Sequence, residues 1–105
     1  MKIIKTNFFG SQVLDLLKKY KLLLDDLKFF EDNLDLEPFS DLWNNIFKYR
    51  IRNSSIPTWK RWWFRIIVKK YFDKIVPLII YSKTIKENVS HKEIIIALEK
   101  VFEEL

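Results

Sequence analysis

Apolar residues recur at helical spacing early in the chain, alternate in the middle and return to helical spacing at the end. Lys2–Lys5 (Lys-Ile-Ile-Lys) reads as a short β-branched strand, and Thr6 or Asn7 supplies the side-chain oxygen of a helix N-cap. From Phe8 to Tyr20, Phe9, Val13, Leu16, Leu17 and Tyr20 fall at spacings of three and four, one face of a helix. Leu22–Leu34 repeats the pattern with Leu23, Leu27, Phe30 and Leu34, and places Asp25, Asp26, Glu31 and Asp32 on its wet side as surface charge. Glu37-Pro38 ends helical continuity, because the residue before proline is pushed out of the α region.

The period then drops to two. Ile46–Arg52 alternates so that Phe47, Tyr49 and Ile51 face a core while Lys48, Arg50 and Arg52 line the other side. Asn53–Thr58 is turn chemistry. Phe64–Tyr71 and Ile75–Tyr81 are β-branched, aromatic-rich runs joined by Phe72-Asp73-Lys74, a connection suited to a hairpin. Pro77 cannot donate to a ladder, so its strand should bulge or leave that position unpaired. Ser90-His91-Lys92-Glu93 is a capping box opening a helix whose apolar face is Ile94, Ala97, Leu98 and Val101. The elements predict one α+β domain spanning residues 1–105: an N-terminal strand and two helices, an antiparallel sheet, and a C-terminal helix.

Composition narrows the function. A content of 49% hydrophobic and 16% aromatic residues excludes a disordered chain. No apolar run approaches the roughly 20 residues of a membrane span, and the N-terminus lacks the apolar stretch of a signal peptide, so a cytoplasmic protein is expected. There is no cysteine and His91 is the single histidine, which disfavours a zinc site; no metal and no cofactor are expected. The net charge is +5. Its basic residues concentrate between Lys48 and Lys86, where Asp73 is the one acid, and at Thr58–Arg65 they interleave with Trp59, Trp62, Trp63 and Phe64. Such a block suits a polyanion, with RNA or DNA first in line; the alternative is a solvated basic face.

Four stretches, in this order and spacing, resemble the RelE/ParE superfamily of type II toxins, nearest its RelE/HigB-like branch. They are Ile4-Lys5-Thr6 entering a helix, Asn44–Arg50, Lys60-Arg61 followed by Phe64–Ile67, and Ile80–Lys83 followed by Lys86–Ser90 and Glu93. The resemblance covers essentially the whole chain. It implies a RelE-like fold and a toxin that inhibits translation by cleaving mRNA, usually on the ribosome, and is neutralised by a cognate antitoxin. That partner is expected to carry an acidic segment and a helix-turn-helix. All four tryptophans, Trp43, Trp59, Trp62 and Trp63, stand where the family pattern has glycine, while the chain keeps only Gly10. The expectation is that these are UGA codons read as glycine in the source organism; the alternative is genuine tryptophans that stack on unpaired bases.

RNA transphosphorylation needs a base for the 2′-hydroxyl, stabilisation of the phosphorane charge and an acid for the 5′-oxygen, and it does not require a metal. Arg65 and Arg50 are the candidates for charge stabilisation, since a guanidinium fork pairs with phosphate and keeps its charge. Lys60 and Lys48 are candidates for a lysine whose pKa neighbouring cations lower, and Tyr81 and Lys83, two residues apart, for proton transfer or base stacking. Lys48, Arg52, Arg61, Lys69 and Lys70 are the expected RNA contacts. Arg52, Lys69 and Lys70 read equally as solubilising charge, Tyr81 as a core tyrosine, and His91 as an exposed residue in a helix's first turn. Two other functions fit less well: a ParE-like inhibitor of DNA gyrase, and a membrane-active Trp/Lys/Arg segment, which the strand alternation and capping box oppose.

Overall fold

A computed structural model describes residues 2–34, 38, 40–57, 63–83 and 85–105. Among them are three helices and a five-stranded mixed sheet, an α+β architecture compatible with a RelE-like fold. The elements are β1 (Lys2–Ile3), α1 (Asn7–Leu17), α2 (Leu23–Asp32), β2 (Ser40–Trp43), β3 (Ile46–Arg52), β4 (Trp63–Tyr71), β5 (Lys74–Ser82) and α3 (His91–Glu103). The sheet order is β1-β5-β4-β3-β2.

Helix α1 starts where its cap dictates. Thr6 is extended, and its Oγ1 accepts the Phe9 N–H at 3.2 Å. The Glu104 carboxylate, at the other end of the chain, accepts the Asn7 and Phe8 N–H groups at 2.6 and 2.9 Å. Those amides would otherwise lack partners, and the negative charge suits the helix N-terminus. The helix stops at Leu17 rather than Tyr20, yet Tyr20 is still buried, with its hydroxyl 3.1 Å from Ser82 Oγ. At α3 the Glu93 N–H donates to Ser90 Oγ at 3.2 Å as the capping box requires, whereas the Glu93 carboxylate pairs with Lys86 Nζ and the Ser90 hydroxyl rather than with the Ser90 amide.

The sheet departs from the expected antiparallel one in two ways. First, β1 pairs in parallel with β5, Lys2 opposite Lys74 and Ile3 opposite Ile75. Two helices separate β1 from the other strands, and only a connection of that length permits parallel pairing. Second, β2 is an additional strand. Ser40–Trp43 lacks a period-two pattern, but Asn44 and Asn45 take φ of 47° and 60° between the paired Trp43 and Ile46. A two-residue hairpin with both centres at positive φ is where asparagine is tolerated. The register shift that Pro77 predicts is present: Val68 pairs with Pro77 but Ile67 with Ile79, so Leu78 is the extra residue.

Both faces of β4 are covered, and Phe64–Val68 is buried throughout. On one face Phe64, Ile66, Val68, Ile75 and Ile80 meet Phe9, Val13, Tyr20 and Phe30 of the α1–α2 side. On the other, Ile46, Ile67, Val76 and Leu78 meet Ile94, Ala97 and Val101 of α3. That explains why Phe64–Val68 of β4 is apolar on both faces apart from Arg65, in contrast to the alternation of β3. The α3-side core takes in Tyr81 on β5. Beside it the same face carries Arg65, which is buried, and Arg50 and Arg52, which are exposed.

A candidate anion-binding and proton-transfer site

Register alone brings the central candidates together. Arg50 on β3 lies opposite Arg65 on β4, which lies opposite Tyr81 on β5. Directly paired residues share a face, so two guanidiniums and a phenol form one row across three strands. Rigid strands hold such a row better than a loop would. Arg50 is exposed, whereas Arg65 and Tyr81 are only 7% and 6% exposed, so the row runs from solvent into the protein.

Around that row the sheet adds cations. Lys48, one step along β3 and opposite Ile67, is half-buried. Burial pushes its pKa down, and the Arg65 and Lys83 charges push it further. Lys83 follows the last residue of β5 and is exposed. Burial likewise lowers the Arg65 pKa; the neighbouring Tyr81 opposes this and Arg50 adds to it. Arg65 stays charged all the same, since arginine does not lose its proton in proteins. The Tyr81 phenol is pushed up by burial, partly offset by the Arg65 charge. The two proton-carrying groups are therefore driven in opposite directions: the lysine toward giving up its proton, the tyrosine toward keeping it.

Arg52 is exposed on the outermost rung, opposite Trp63. The Trp63 indole lies under the Arg50 guanidinium, 4.9 Å from ring centroid to Cζ. Two expected contacts sit elsewhere. Lys69 is at the far end of β4, opposite Ile46, with its Nζ donating to the Asn44 carbonyl. Lys70 points to the other face, its Nζ 4.6 Å and 5.9 Å from the Phe47 and Tyr49 ring centroids. Adjacent strand residues alternate faces, so Lys69 and Lys70 cannot serve one site together. Lys60 and Arg61, with Trp59 and Trp62, lie outside the described residues.

The two described tryptophans occupy positions whose backbone does not demand glycine. Among the described residues the positive φ values belong to Asn44, Asn45 and Phe72, not to Trp43 or Trp63. Trp43 is half-buried and stacks on His91, rings 4.2 Å apart and 23° from parallel. His91 is otherwise exposed as the first residue of α3. Sequence reading missed Ser40, half-buried opposite Lys48, because it missed β2; the Asn44-Asn45 pair is the signal that would have revealed that hairpin.

An apolar groove of about 750 Å³ opens between α1 and α2, with Ile66 and Pro77 at its floor. These belong to the opposite face of the sheet, and the groove contains none of the row residues. Among the described residues no helix is long and apolar enough to cross a membrane. Compared with protein-family models, curated proteins and solved structures, the chain gives no match.

Proposed function

We propose that this chain is a cytoplasmic type II toxin, an mRNA endoribonuclease that cleaves by transphosphorylation, and that its site is the open end of the basic sheet face. The observation that carries this reading is the Arg50–Arg65–Tyr81 row with Lys48 and Lys83 beside it. Arg65 and Arg50 stabilise the charge that develops on the phosphorane oxygens. Lys48, with its lowered pKa, takes the proton of the 2′-hydroxyl. The 2′-oxygen attacks phosphorus, the bond to the 5′-oxygen breaks, and Tyr81, held protonated by burial, supplies the proton to that leaving oxygen. The products are a 2′,3′-cyclic phosphate and a 5′-hydroxyl. Arg52 and Lys83, both exposed, extend the cationic surface along the flanking phosphates. The chain's resemblance to the RelE/HigB-like branch supports the ribosome as the setting and a small antitoxin with an acidic segment as the partner.

The test is Arg65→Ala, with Arg65→Lys as a variant that keeps a charge in the buried position. Arg65→Ala is expected to lower cleavage by about 10²–10³-fold, with a smaller loss of RNA binding, because the contact strengthens in the transition state. Arg65→Lys is expected to fall between, since a point charge replaces a fork. Cleavage by Arg65→Ala at the parental rate contradicts the assignment. So does an effect on DNA supercoiling without any change in mRNA, which is the outcome a gyrase inhibitor gives.

A further inference from the structure

Asp26 reads from sequence as surface charge on the wet side of a helix, but it is 6% exposed. Its carboxylate faces the turn that follows β3. Ser54 donates to it twice, from its backbone N–H to Oδ2 at 2.9 Å and from its hydroxyl to Oδ1. The tie is reciprocal. Leu22, at the N-cap of α2, has no side-chain cap of its own kind, and its N–H donates to Ser55 Oγ at 2.8 Å. Asn53, itself buried, closes the turn by accepting the Ser55 N–H at 3.0 Å. Helix α2 and the Asn53–Ser55 turn are thus joined by directional bonds centred on one buried carboxylate.

The position of that turn gives the tie its meaning. It begins directly after Arg52, and Arg52 pairs with Trp63 in the last rung of the β3–β4 ladder. Arg50 and Arg65 form a rung two residues further in. Deeper on that face Ile46, Ile67, Val76 and Leu78 share a core with α3 that reaches Tyr81 on β5, whereas Arg50 and Arg52, at the β3 end of the outer rungs, are exposed. We infer that Asp26 is a positioning residue: through Ser54 it anchors the open end of the basic face from behind and holds Arg50 and Arg52 in register with β4. An apolar contact at that spot would not fix the turn in direction; two hydrogen bonds to one carboxylate do. The functional half of this inference rests on the nuclease reading above; the structural half does not.

The experiment is amide hydrogen exchange combined with RNA binding and cleavage on Asp26→Ala, Asp26→Asn and Ser54→Ala. Val101→Ala, in the core on the other side of the sheet, is the control of comparable stability loss. Asp26→Ala is expected to speed exchange at least 10-fold at the β3–β4 amides of residues 50–52 and 63–65 and to leave those around Ile67 and Val76 unchanged. It is expected to raise KM for RNA more than it lowers kcat. Asp26→Asn and Ser54→Ala, which each keep part of the tie, should fall between it and the parent, and Val101→Ala should show neither the local exchange nor the KM effect. Uniform acceleration across the sheet, or none at 50–52, overturns the positioning role. Local acceleration with unchanged KM shows that the anchored end does not contact RNA and overturns the functional half. If the parental protein neither binds nor cleaves RNA, the nuclease reading fails while the exchange arm still decides whether Asp26 anchors the strand end.

Discussion

Phe72 holds a φ of 57° while 88% exposed, at the first central position of the β4–β5 hairpin. A bulky residue in that region is strained, offset by an edge contact with the Tyr71 ring at 4.7 Å. Phe72→Gly is therefore expected to stabilise the fold by about 1 kcal/mol, visible as a higher Tm. Lys48 gives the opposite case, a residue whose cost the proposed chemistry would use. Its folded pKa lies below its unfolded one, so keeping it protonated costs stability at neutral pH, and stability recovers as pH rises through the folded value. Lys48→Met should accordingly raise Tm while abolishing cleavage. In the parent, cleavage should increase with pH up to a midpoint below the ordinary lysine value. In Lys48→Arg that acid limb should vanish along with most of the activity, because arginine does not release its proton. A pH–rate profile of the parent that is flat through the neutral and mildly alkaline range contradicts Lys48 as the base.

Among the elements, the edge of β5 shows how a short strand is supplemented by a side chain. β1 covers that edge only at Lys74 and Ile75. Further on, the Gln12 amide from α1 donates from Nε2 to the Leu78 carbonyl at 2.9 Å and accepts the Ile80 N–H at Oε1 at 3.2 Å. One side chain thus provides a donor and an acceptor in the manner of a neighbouring strand, next to the bulge at Leu78. Gln12→Ala leaves both backbone groups without that partner and should cost about 1–3 kcal/mol. Exchange of the Ile80 amide should rise more than that of the β3–β4 amides. This contact was not readable from the chain, where Gln12 is one more polar position on a helix. Elements with strong periodicity were readable: α1, α2, β3 and α3 lie within a few residues of their expected bounds, since burial of one face imposes the pattern. The strand β2 was not, because its hairpin depends on asparagine conformation rather than on alternation. Asp26 was misread for a related reason, as local spacing cannot report a turn that arrives from elsewhere in the fold.

For the whole molecule, the decisive feature is the asymmetry of the sheet's two faces. The α1–α2 pair packs on one face and α3 on the other, and on the α3 face charges that sequence places merely on alternate positions become neighbours, running from exposed Arg50 to buried Arg65 and Tyr81. Arg50, Arg65 and Tyr81 were legible as candidates by residue type, but their mutual alignment comes from the β3–β4–β5 register. The same register separates Lys69 and Lys70 from them. The central claim is that this row performs transphosphorylation of RNA, and the most direct measurement is the chemistry of the cleaved ends. Purified protein is incubated with translating ribosomes and a defined mRNA, and the fragments are analysed for their termini beside the Arg65→Ala variant. The account predicts 5′-hydroxyl and 2′,3′-cyclic phosphate ends from the parent and about 10²–10³-fold fewer of both from the variant. Intact mRNA, fragments with 5′-phosphate ends, or equal cleavage by the variant would contradict it.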